Sequence, residues 1–230
     1  MRPFDLDVHA ARLAPHLAVL KPPGDGPFPV ALQMHGCGGI QPMQLRYART
    51  AVEAGFAAEV VDSLAPRGIG RRAAQFTVCT LLQLRGAERA IDLLAMLHWL
   101  EAQSWADAGR VVAAGWSHGA WSIMEAMAES GPAARADLLG AVRTVVLVYP
   151  YAGPPARTFS SGWGDNRPKV RALLGGRDAV VGWRAAKRAL DRLAADGLDV
   201  RVLILPDATH CFDDDKADDP RTLYSAALEA

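Results

Sequence analysis

The 230-residue chain has no apolar run approaching the ~18 residues that a membrane span requires. Its opening stretch, Met1 to Ala10, mixes Arg, Asp and His and lacks the apolar core of a signal peptide. No membrane partner is expected, and the compartment reads as cytoplasmic, with a mature secreted or periplasmic form as the second option. Cysteine is scarce. Cys37, Cys79 and Cys211 are too few and too scattered for a disulfide scaffold or a zinc ribbon, so no structural metal is expected. An excess of charge of either sign is also missing: Lys plus Arg and Asp plus Glu stand at 25 each. Without a basic field, nucleic acid and anionic lipid are not expected partners. With 50% hydrophobic and 22% charged residues, the composition excludes a disordered chain, a collagen-like one or a coiled coil. Since domains usually take ~100–200 residues, one domain over residues 1–230 is the expectation.

What is present is an alternation of two kinds of apolar segment. Short β-branched runs suit buried parallel strands: Pro29 to Met34, Ala57 to Val61, Arg110 to Ala114, Thr144 to Tyr149, Val170 to Leu174 and Val200 to Leu205, with Leu17 to Leu20 as an edge strand. Between them the period changes to that of a helix. Ala120, Ile123, Met124 and Met127 recur at i, i+3, i+4 and i+7, as do Trp183, Ala186, Leu190 and Leu193 ahead of the helix stop Gly197. Gly86 to Ala102 is the longest helical candidate. Strand alternating with helix predicts an α/β fold, a mostly parallel central sheet of about seven or eight strands with helices on both faces. The irregular stretch Tyr151 to Pro168 suits a rim or cap loop. The acidic run Asp213 to Asp219 reads as a solvated loop leading to a short last helix, Arg221 to Ala230.

The strongest chemical signal is Gly115-Trp116-Ser117-His118-Gly119, between a strand and a helix. That is the context a nucleophile elbow needs: a turn tight enough to project the Ser117 hydroxyl from the carboxyl edge of the sheet, with glycines where side chains would collide. A serine needs a base, and the base needs an orienting carboxylate. Of six histidines, His210 is best placed, a short loop after the last strand. His9 and His16 read as surface or first-strand residues and His98 as helix packing. His118 contributes its amide, and His35 braces its loop. Asp178 follows Gly175-Gly176 at another strand end and is the favoured acid, with Asp207 as its rival. The chain order Ser117, Asp178, His210 is that of α/β-hydrolases. The oxyanion hole is expected from the amides of His118 and of Cys37, the latter in the turn His35-Gly36-Cys37-Gly38-Gly39. That turn lacks phosphate-cradling spacing. Trp116, beside the serine, is a candidate substrate contact.

The His-Gly-Cys-Gly-Gly turn, Val61-Asp62-Ser63 with Ala65-Pro66-Arg67-Gly68, the elbow, the Gly175-Gly176-Arg177-Asp178 turn and His210 together resemble the dienelactone hydrolase family of α/β-hydrolases, from about Phe28 to Phe212. The resemblance implies an eight-stranded sheet, an open or lightly capped site, and attack on an ester or lactone carbonyl without metal or organic cofactor. The founding enzymes of the family carry cysteine at the position of Ser117 and hold a substrate carboxylate with arginines. Here Cys211-Phe212-Asp213-Asp214 follows the histidine, which favours a neutral or hydrophobic ester, and Arg67 is either an anion anchor or a loop-bracing residue. The expected activity is a serine esterase acting on a small-molecule ester or lactone, as a monomer or homodimer. A peptidase or thioesterase on the same triad, or a non-catalytic binding protein, are the alternatives. Cys37 and Cys79 form a bridge if the second loop folds over the site in an oxidising compartment; otherwise they are small packing residues.

Overall fold

The computed structural model describes residues 5–128, 135–157, 161–217 and 219–225. The β-branched runs form seven strands: β1 (Leu17–Leu20), β2 (Phe28–Met34), β3 (Ala57–Val61), β4 (Ala106–Trp116), β5 (Val142–Val148), β6 (Lys169–Gly175) and β7 (Val200–Leu205). They make one sheet in the order β1-β3-β2-β4-β5-β6-β7, parallel except for β1, which runs antiparallel to β3. Among the described residues this is one strand fewer than the resemblance implies, because the short β1 alone stands at the amino edge. β4 is longer than its apolar core suggests, since Ala106 and Asp107 pair with Phe28 and Pro29 before a register shift.

Among the described residues seven α-helices intervene: α1 (Leu6–Leu13), α2 (Pro42–Glu53), α3 (Arg71–Thr77), α4 (Gly86–Glu101), α5 (His118–Ala128), α6 (Ala136–Leu139) and α7 (Trp183–Ala195). Side chains alternate across each strand, so both faces of the sheet are apolar and both are covered. Val170, Ala172 and Leu174 of β6 face the cluster that includes α1, α4, α5 and α7, whereas Leu173 faces the opposite side. There α2 packs Ala48 against Ala58 and Val60 of β3. In α4, Leu93, Met96 and Leu100 are fully buried, each contributing about 1.5–3 kcal/mol relative to exposure. Every residue of α5 is buried, and its Glu125 is satisfied by the Trp121 indole N–H and the Arg157 guanidinium.

One expectation needs correction. Of the proposed last helix, residues 226–230 lie outside the described residues, and 221–225 are not helical. The Leu223 amide donates to Thr209 Oγ1 and the Ser225 amide to the Phe212 carbonyl, bonds incompatible with an i→i−4 ladder. The stretch Tyr151 to Pro168 is irregular where described, yet it is anchored by buried Ala156 and Trp163.

The strand order turns back between β2 and β4: β3 lies on one side of β2 and β4 on the other. Loops leaving the carboxyl ends of those two strands diverge, and such a switch point opens the crevice in which doubly wound sheets bind ligands. Met34 and Gly115 pair at that end of the ladder, so the turn after β2 and the turn after β4 stand side by side.

Candidate active site

Ser117 follows β4 with φ at +51°, a left-handed conformation unusual for a residue with a Cβ. The turn persists because its surroundings leave no alternative. A Cβ at Gly115 would sit 2.6 Å from the Ala120 nitrogen, and one at Gly119 would sit 2.0 Å from the Met34 carbonyl oxygen. The Ser117 amide donates to the Val148 carbonyl and its own carbonyl accepts from the Trp121 amide, so sheet and helix grip the residue from both sides.

The Ser117 hydroxyl lies 2.9 Å from His210 Nε2, and His210 Nδ1 lies 2.8 Å from Asp178 Oδ2. The second oxygen of Asp178 accepts the amides of Val180 and Val181. Burial pushes the Asp178 carboxyl up, but the His210 hydrogen bond and charge and the two amides outweigh it, and the net shift is downward. The carboxylate is thus ionised, and it selects the imidazole tautomer with its proton on Nδ1 and its lone pair on Nε2, facing the hydroxyl. The glycines before Asp178 are required by close approach. A Cβ at Gly175 would lie 2.7 Å from the Ala208 carbonyl oxygen and one at Gly176 would lie 2.6 Å from that of Pro206, so the two loops fit together only without side chains there. Asp207, the rival acid, is exposed.

The turn after β2 lies against the elbow: a Cβ at Gly36 would be 3.9 Å from that of Ser117. Cys37 follows, and its sulfur is bonded to that of Cys79, with the Cα atoms 5.1 Å apart. The bridge ties this turn to the segment after α3. His118 opens α5, so its amide belongs to the free N–H groups of a helix start.

Other residues are placed differently from expectation. Arg67 forms a two-pronged ion pair with Asp92 and also donates to the Ser63 carbonyl. Its charge is matched by a buried carboxylate, which is the loop-bracing arrangement. Trp116 is buried; its indole N–H donates to Asp213 and its ring packs on Tyr47. Its side chain is committed to this interior contact. His9 is not a solvated residue, since it hydrogen bonds Asp92, and His98 bridges Asp7 and Glu101 rather than packing. His35 accepts the Ser63 amide at Nε2, and burial together with the charge of Arg89 keeps it well below its ordinary pKa.

The largest departure is Asp213. Far from lying in a solvated loop, it is fully buried and accepts from Tyr149 Oη at 2.6 Å, Trp116 Nε1 at 3.0 Å and Tyr47 Oη at 3.1 Å. Burial pushes its carboxyl up against the pull of these donors, and burial beside Asp213 keeps the Tyr149 phenol well above its ordinary value, as a proton donor. The Tyr149 ring lies 4.6 Å, centroid to centroid, from that of His210. Neither residue carries a recognisable motif, and the three donors are far from Asp213 in sequence. Among the described residues no group of three or more His, Cys, Asp or Glu is arranged to hold a metal ion.

The dienelactone hydrolase family model matches residues 17–229. Among solved structures, the chain is similar to a candidate dienelactone hydrolase from Klebsiella pneumoniae, with a TM-score of 0.70 and 17% identity over 93% of this chain and 87% of that one. It is also similar to a dienelactone hydrolase-like promiscuous phosphotriesterase from metagenomic libraries, with a TM-score of 0.66 and 20% identity over 93% and 92% of the two chains. A butyrate-bound thermophilic esterase from Thermogutta terrifontis matches with a TM-score of 0.63 and 15% identity over 88% and 82%. At such identities these likenesses speak for the fold. No curated protein is significantly similar in sequence.

Proposed function

The chain belongs to the dienelactone hydrolase family and is therefore a hydrolase of carboxylic esters; within that class we propose that it cleaves an ester or lactone through an acyl-enzyme built on Ser117, with His210 as base and Asp178 as orienting acid. The observation that carries this reading is the unbroken hydrogen-bond chain from Ser117 Oγ through His210 to Asp178. Ser117 Oγ attacks the carbonyl carbon while its proton passes to His210 Nε2. Asp178 holds the resulting imidazolium, whose charge is matched across the Nδ1 bond. The carbonyl oxygen, now negative, is received by the amides of Cys37 and His118. His210 then returns the proton to the departing alkoxide oxygen, and water repeats the sequence on the acyl group. With a lactone, the leaving oxygen remains tethered to the acyl chain, and water then frees the enzyme by releasing a single hydroxy acid.

Because Arg67 is already occupied by Asp92, a neutral acyl group suits the site better than a carboxylate-bearing one. No helix among the described residues is long and apolar enough to cross a membrane. The Cys37–Cys79 bridge favours an oxidising compartment over the expected cytoplasm, since such bonds persist there. The Thermogutta esterase has also been obtained phosphonylated by cyclosarin and by sarin, which supports a fluorophosphonate as the probe for this chain. The test pairs that probe with p-nitrophenyl butyrate: the parent should label at Ser117 and turn over, and Ser117→Ala should do neither while remaining folded. Turnover retained by purified Ser117→Ala would refute the mechanism.

A further inference from the structure

Arg89, on α4, is 1% exposed and lies behind the crevice rather than in it. Its Nε donates to Ser63 Oγ at 2.8 Å, and its Nη1 donates to the His35 carbonyl at 2.7 Å and reaches His118 Nδ1 at 3.3 Å. Three loops therefore meet on one guanidinium: the turn after β2, the loop after β3 and the elbow after β4. Two of them carry the amides assigned above to the oxyanion hole. The His35 carbonyl precedes Cys37 by two residues, and His118 is itself the other donor.

The electrostatics of this cluster are unusual for a buried arginine. Among the described residues no carboxylate forms an ion pair with Arg89, and its Nη2 has no hydrogen-bond partner. Burial lowers it to about 10, with Asp92 opposing and Arg67 adding to the shift, so it remains a cation at neutral pH. Nearby Asp92 is already engaged by His9, Arg67 and Ser63. His118 is lowered to about 3 by burial and then by Arg89, so it is neutral and accepts at Nδ1. A buried cation whose partners are a carbonyl, a hydroxyl and a neutral imidazole is costly to maintain. An apolar side chain would avoid that cost but would leave the His35 carbonyl, the Ser63 hydroxyl and His118 Nδ1 without this donor, so the arginine is bound up with the loops it joins.

We propose that Arg89 is a positioning residue for the oxyanion hole, locking the turn after β2 against the elbow so that the Cys37 and His118 amides converge, and setting a fixed positive charge behind them. The charge matters most when the carbonyl oxygen becomes an anion, because a preoriented field in a dry site needs no reorganisation at that moment. This rests on the ester-hydrolysis reading and deepens it. Ground-state substrate carries no such charge, so Arg89 acts on turnover and not on substrate binding.

The experiment compares Arg89→Met and Arg89→Lys with the parent on p-nitrophenyl butyrate. Active sites are counted by fluorophosphonate titration, and affinity is measured for an aryl trifluoromethyl ketone, which forms a tetrahedral oxyanion adduct on serine. Deleting an oxyanion donor outright costs ~10²–10³-fold in kcat; the indirect loss in Arg89→Met should be about 10- to 100-fold per titrated site, with KM within about twofold. The ketone should weaken by the same factor as kcat falls. Arg89→Lys should recover part of both, since an ammonium keeps the charge but cannot reach all three partners. A merely structural role would lower the count of titratable sites and leave per-site kcat and ketone affinity unchanged; that result overturns the inference while the esterase reading stands. If Arg89→Met does not fold, Arg89→Lys decides: parental per-site kcat and ketone affinity overturn the proposal, and a matched fall in both supports it. A parent that neither turns over nor labels overturns the esterase reading, and this inference with it.

Discussion

Tyr149 donates its phenol proton to Asp213 at 2.6 Å while its ring lies against the imidazole of His210. One residue thus joins the acidic run after the histidine to the end of β5. Since Asp213 also receives the indole of Trp116, the residue before Ser117, a single buried carboxylate braces the neighbours of both Ser117 and His210. Removing it should be expensive. Asp213→Ala removes the acceptor of two buried donors, the Tyr149 hydroxyl and the Trp116 indole N–H, and each such loss costs about 1–3 kcal/mol. Urea unfolding should show a loss of at least ~2 kcal/mol. A double-mutant cycle with Tyr149→Phe should reveal strong coupling; additive losses would mean that the two residues act separately.

The left-handed backbone at Ser117 should make the residue a cost to the fold. A left-handed conformation disfavours a Cβ by roughly 1–2 kcal/mol, and glycine is free of that term. Both Ser117→Gly and Ser117→Ala should be inactive, and the glycine variant should be the more stable by about 1 kcal/mol in denaturant titrations. Alanine proving the more stable would show that the turn is unstrained.

Glu59 should make stability depend on pH. It sits mid-β3, fully buried, with neither carboxyl oxygen hydrogen bonded, and burial raises it from 4.5 to about 8. The folded state therefore holds this proton more tightly than the unfolded chain does. Its contribution is fully present below pH 4.5 and is lost as pH rises toward 8, with a slope of at most about 1.4 kcal/mol per pH unit. Glu59→Leu should flatten that slope and raise stability at pH 8; an unchanged slope between pH 5 and 8 would assign the dependence elsewhere.

Cleaving the Cys37–Cys79 bridge should loosen the turn that carries the Cys37 amide. Cys79→Ser, or mild reduction, should lower stability by about 2–4 kcal/mol and reduce kcat more than it changes KM. Denatured, unreduced protein should present one thiol, Cys211, to a thiol reagent. In the native state even that one should react slowly, because burial and the neighbouring acids push its pKa up. Three thiols without reduction would mean that the bridge is absent in solution.

Much of the scaffold is legible in the sequence for a simple reason: strands of a covered sheet are mostly apolar and β-branched, so Ala57–Val61, despite its Glu59, and the edge strand Val200–Leu205, despite its Arg201, announce their own limits. β4 is harder, because Asp107 and Gly109 belong to a strand but lack its composition. Ser117, Asp178 and His210 are readable because each sits just past a strand end beside glycines or a short loop, and local chemistry signals the turn. Asp213 and Arg89 are not readable in that way. A carboxylate in an acidic run and an arginine in a helix ordinarily lie in water, and only tertiary packing brings the distant Tyr47, Trp116 and Tyr149, or His35, Ser63 and His118, to meet them. Arg67 shows the same limit: its loop is recognisable, but its partner Asp92 lies a helix away.

The backbone bridge between His210 and Thr222, with the Leu223 amide fastened to the hydroxyl of Thr209, means that the imidazole hangs from a clasp near the tail of the molecule. Protease trimming back past Thr222 would undo the clasp and loosen the hydrogen bond between His210 and Ser117, even with the sheet intact.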